Sequence, residues 1–85
     1  MNHKQQHTLE TLFKEPVSGN MHWREIESLL KSLGVALQLG HGARIRLQLN
    51  YTEGSLHRPH HSGVLSKKEA RHLRQFLISA GIDSP

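Results

Sequence analysis

The stretch VALQLGHGARIRLQLNYTEGSLHR, residues 35–58, decides the fold, because the hydrophobic period inside it is two. Val35, Leu37 and Leu39 alternate with Ala36 and Gln38. After the break Gly40-His41-Gly42, Ala43, Ile45, Leu47 and Leu49 alternate with Arg44, Arg46 and Gln48. Successive strand side chains point to opposite faces, so each run is a strand with one apolar and one polar face. Asn50–Gly54 has turn composition, and Ser55–Arg58 reads as a third short strand that Pro59 ends.

Outward from this core the period changes to that of a helix. On the N-terminal side, Ile26, Leu29, Leu30 and Leu33 fall at i, i+3, i+4 and i+7, Trp23 opens the segment at one end of the core, and Gly34 stops it. A shorter helix is expected from Thr8 to Glu15, with Leu9, Leu12 and Phe13 on one face and Pro16 ending it. Residues 1–7 are polar and read as a flexible N-terminus; residues 83–85 read as a tail. On the C-terminal side, Ser66-Lys67-Lys68-Glu69 has the spacing of a capping box. The helix it opens places Ala70, Leu73, Leu77 and Ala80 on one face, with Phe76 beside it, up to Gly81. The expected fold is α+β, in the order α-(α)-β-β-β-α. Its antiparallel three-stranded sheet has helices packed on one face, as one domain over residues 8–82.

Composition narrows function. The chain has 85 residues, no cysteine, a formal charge of +4 and eight histidines outside that count. Thiolate chemistry and cysteine-based zinc sites are excluded, and the sign of the charge suits an anionic partner. No apolar run reaches the length of a membrane span and the N-terminus lacks a secretion signal, so a cytoplasmic protein with no membrane partner is expected.

Three clusters carry candidate chemistry. Arg44 and Arg46 recur about 6.6 Å apart on the outward face of the middle strand, a spacing that lets guanidiniums track a nucleic-acid backbone, or simply a solvated strand face. His41, between two glycines, is a mobile acid or base or an ordinary turn residue. In LHRPHHSG, residues 56–63, His57, His60 and His61 sit beside Arg58. A metal site is disfavoured, since zinc wants four ligands, or three and a water, on rigid elements, and Glu53 is the only acid near in sequence. Histidines titrating near neutrality suit proton transfer in RNA cleavage by the 2′-hydroxyl, which needs a base, an acid and cations on the phosphate, and no metal or cofactor. Lys67 and Lys68 lie in the first turn of the last helix, where free amides also attract phosphate, or they are simply solvated surface lysines. The candidate set is His60, His57 and His41 for catalysis, and Arg44, Arg46, Arg58, Lys67 and Lys68 for RNA.

From Trp23 to Ile82 the chain resembles the HicA toxin family, in its IESLLKSLG helix, Gly42-Ala43-Arg44 at the start of strand two, the HRPH segment and the closing LRQFLISAGI helix. That resemblance implies a double-stranded-RNA-binding-domain-like fold, mRNA cleavage as the toxin of a type II toxin–antitoxin system, and a HicB-type antitoxin as partner. Strand two in that family starts Gly-Ser-His, with the histidine catalytic; here Arg44 occupies that position, and arginine stays protonated at physiological pH. Either the chemistry has moved to His41 or to His57 and His60, or the protein binds RNA without cutting it. His60 matches a family position before the last helix. A third reading keeps the basic face for an acidic protein alone.

Overall fold

A computed structural model describes residues 1–59 and 63–83. The elements are α1 (His3–Phe13), α2 (Trp23–Ser32), β1 (Ala36–Leu39), β2 (Arg44–Leu49), β3 (Thr52–His57) and α3 (Lys67–Ser79). The sheet is antiparallel in the order β1-β2-β3, and the α+β order matches the expectation.

Helices α2 and α3 end as their glycines require. Past α2, Gly34 has φ 86°, its amide donates to the Lys31 carbonyl, and the Val35 amide donates to that of Leu30. Past α3, Gly81 (φ 92°) donates to Ile78 and Ile82 to Leu77. Each is a Schellman motif, which satisfies carbonyls that the helix end leaves open.

One side of the sheet meets the helices. Ile45, Leu47 and Leu56 are buried against Leu9, Leu12, Ile26, Leu29, Leu30, Leu73 and Leu77. Trp23 is buried at the start of α2, where its amide donates to the Gly63 carbonyl at 2.7 Å while Leu65 donates to Met21 at 2.8 Å. These bonds tie the segment before α3 to the start of α2. Leu39, expected on the covered face, is 70% exposed because β1 is an edge strand and its end lies beyond the apolar cluster.

Two boundaries differ from the expectation by three residues or more. Helix α1 starts at His3 rather than Thr8: Asn2 accepts from the Gln5 amide, Gln5 accepts from the Asn2 amide, and Gln5 Nε2 reaches Ser28 Oγ of α2 at 2.9 Å. Strand β3 starts at Thr52 rather than Ser55. The turn is only Asn50-Tyr51, with φ of 49° and 65°, the left-handed pair of a type I′ hairpin. Asn50 Nδ2 donates to the Ala80 carbonyl at 2.9 Å and Thr52 Oγ1 to that of Ser79 at 3.3 Å, fixing the turn to the end of α3. Gly54, taken from sequence as a turn residue, lies inside β3, where a Cβ would stand 2.6 Å from Phe76 Cδ1. The glycine makes room for the ring.

Candidate nucleic-acid interface

Among the described residues, none covers the side of the sheet away from the helices. Arg44, Arg46 and Gln48 of β2 are exposed there, beside Glu53, Ser55 and His57 of β3. The register pairs Arg44 with His57, Arg46 with Ser55 and Gln48 with Glu53. The His57 amide donates outward to Glu69 Oε1 at 2.7 Å, whereas the next amide, Arg58, donates across to the Ala43 carbonyl. Arg44–His57 is therefore a non-hydrogen-bonded pair, the kind whose Cα atoms approach to about 4.5 Å. By the alternation of an antiparallel ladder the other two outward pairs are of the same kind.

His41 joins them from the loop between β1 and β2. Its carbonyl accepts from the Arg44 amide at 3.3 Å, and it lines the same open groove of about 900 Å³ as Arg44, Arg46 and His57. Two imidazoles thus share one concave surface with two guanidiniums, and Glu53 is the acid that lines it. Arg58 lies elsewhere: it lines a separate groove of about 250 Å³ with Trp23, Leu37 and Leu39. Lys67 and Lys68 are exposed at the start of α3 and do not line the sheet face; the stem of Lys67 passes over Gly19. His60 lies outside the described residues.

Glu69 plays a part its local pattern hides. The capping box is only half formed: Ser66 Oγ accepts from the Glu69 amide at 3.1 Å, but the carboxylate does not reach back to the Ser66 amide. Oε1 takes the His57 amide and stands 3.4 Å from His57 Nδ1, while Oε2 is 3.1 Å from His72 Nδ1. The carboxylate is largely shielded, at 13% side-chain exposure. It takes the amide on the edge of β3 and lies beside Nδ1 of His57. From sequence, the i, i+3 spacing to His72 was a visible signal, whereas the bond to His57 depends on tertiary packing.

Among the described residues, no group of three or more histidine and carboxylate side chains could hold a metal ion, and no helix is long and apolar enough to cross a membrane. No protein-family model, curated protein or solved structure matches the chain.

Proposed function

We propose that the protein is a metal-independent endoribonuclease acting on mRNA, the toxin of a type II toxin–antitoxin pair of the HicA kind. The observation that supports this best is the placement of Arg44 between two histidines: His41 in the loop that precedes it and His57 paired with it across the strands. A phosphodiester held by Arg44 and Arg46 has an imidazole available on each side. One takes the proton from the 2′-hydroxyl as its oxygen attacks phosphorus; the other gives a proton to the departing 5′-oxygen. The products are a 2′,3′-cyclic phosphate and a free 5′-hydroxyl, with every proton accounted for. The guanidiniums stabilise charge that grows on the phosphoryl oxygens. Glu69 is a positioning residue, since it touches His57 and not the phosphate.

A HicB-type antitoxin is expected to cover the same bare face and compete with RNA for its cations. An mRNA substrate implies a cytoplasmic location. The second reading, an RNA-binding module that does not cut, is favoured by Arg44 standing where the HicA pattern has its histidine.

Expression in a bacterial host tests the proposal. The wild type arrests growth, His57→Ala does not, and arrest is accompanied by loss of full-length mRNA. Arrest of equal strength with both chains, or growth with both, contradicts the catalytic reading.

A further inference from the structure

We propose that Tyr51 is a stacking platform for an unpaired base, which makes single-stranded RNA the substrate of the sheet face; this rests on the RNA-directed reading above. Tyr51 is the only tyrosine in the chain and is 102% exposed, so its ring gains nothing from the rest of the fold. Its backbone is left-handed at φ 65°, in the second position of a two-residue turn that favours glycine. A bulky side chain is disfavoured in that conformation, and among the described residues no contact offsets the cost. Asn50 and Thr52, bonded to the carbonyls of Ala80 and Ser79, hold the turn on the body of the protein, so the ring is presented on a fixed mount.

The surroundings grade along the sheet in the way a strand of RNA requires. Nearest the turn the outward pair is Gln48–Glu53, side chains that read base edges; Arg46 and then Arg44–His57 follow, side chains that hold phosphate and move protons. From Thr52 to His57 the strand runs about 17 Å at the standard rise, a span of a few nucleotides. Bases in an A-form duplex are stacked on one another and offer no face to a protein ring, whereas bases of a single strand do. The ring therefore selects unpaired RNA.

The test is binding of a short unstructured 2′-O-methyl RNA, which lacks the attacking hydroxyl, and of the same strand annealed to its complement, alongside thermal unfolding. Wild type and Tyr51→Phe are expected to bind the single strand alike and more tightly than the duplex. Tyr51→Gly is expected to weaken single-strand binding about five- to a hundred-fold, while its unfolding midpoint stays level or rises because the left-handed strain is gone. Equal single-strand affinity for Tyr51→Gly and wild type overturns the stacking role and leaves the RNA-directed reading in place, as does a wild-type preference for duplex. A wild type that binds neither form overturns both.

Discussion

His57 serves the edge of the sheet and its open face together. Its amide is held by Glu69 at the border of β3, and its ring stands opposite Arg44 with Nδ1 turned to the same carboxylate. On the proposed mechanism, replacing the ring removes a proton-transfer group, and it takes nothing from the core, because the side chain is 68% exposed. His57→Ala is therefore expected to lower RNA cleavage by about 10²–10⁴-fold while leaving RNA affinity and unfolding temperature close to wild type, measured on the same preparation. Glu69→Gln acts one step away: kcat falls and KM holds, since the substitution changes the imidazole's partner and not the phosphate's. The outward aim of His57 and of both arginines was legible in the sequence, because a strand alternates faces and Arg44, Arg46 and His57 fall on polar positions. The work of Glu69 was not. Ser66 and Glu69 have the spacing of a reciprocal cap, and local spacing says nothing of a strand edge that offers the carboxylate a better donor.

At the scale of elements, single contacts set how strands and helices meet. In Gly54→Val the new side chain collides with Phe76, which packs α3 against β3, and the cost of overpacking is about 1–3 kcal/mol; chemical denaturation reads it, and trimming Phe76 to Leu restores part of the loss. Helix α1 is fastened to α3 by Arg74, which donates to the Leu12 and Lys14 carbonyls at 3.0 Å each and pairs with Glu15. Arg74→Ala leaves the two carbonyls at the end of α1 without their charged donor and is expected to cost about 2 kcal/mol. The hydrogen bond from Arg74, and then its charge, holds the Glu15 carboxyl below its usual value of 4.5. The ionised form is thus favoured by folding: that contribution is present above pH 4.5 and is lost as pH falls through the depressed value. Glu15→Gln removes that contribution at neutral pH and leaves stability at the lowest pH nearly unchanged, so the acid side of the stability profile flattens.

Sequence period located every strand and helix at this scale, and both helix-ending glycines behave as their chemistry dictates. The boundaries that shifted share a cause. Asn2 and Gln5 cap each other, starting α1 five residues early, and Asn50 and Thr52 reach carbonyls of α3, shortening the turn; side chains supplied backbone partners that composition does not reveal. Gly54 misled for a related reason, since its role is to admit a ring from an element far along the chain.

For the whole molecule, the division of faces matters most. Among the described residues, nearly all apolar mass lies on the helix side, and the other side keeps two guanidiniums, two imidazoles and one carboxylate around an open groove. Each arginine that meets a phosphate releases counterions, so Arg44→Gln and Arg46→Gln are each expected to reduce the slope of log affinity against log salt by about 0.7 for a single strand, as fluorescence anisotropy across a salt series measures. Glu53→Gln removes the acid of that face and shifts affinity the other way. The charge balance of the sequence suits an anionic partner, and alternation in the middle strand located the cations. What it could not announce is that His41, in a loop, and His57, on a strand, share one groove with Arg44, because the hairpin register brings them together.

The most direct measurement of that arrangement is cleavage of an mRNA transcript by purified protein with EDTA present, wild type beside His57→Ala, with the new ends identified chemically. Wild type is predicted to cut and to leave 2′,3′-cyclic phosphate ends, and His57→Ala to leave the transcript full length over the same time. Intact transcript with excess wild type, or equal cutting by both chains, contradicts an RNA-cleaving site built on the bare face of this sheet.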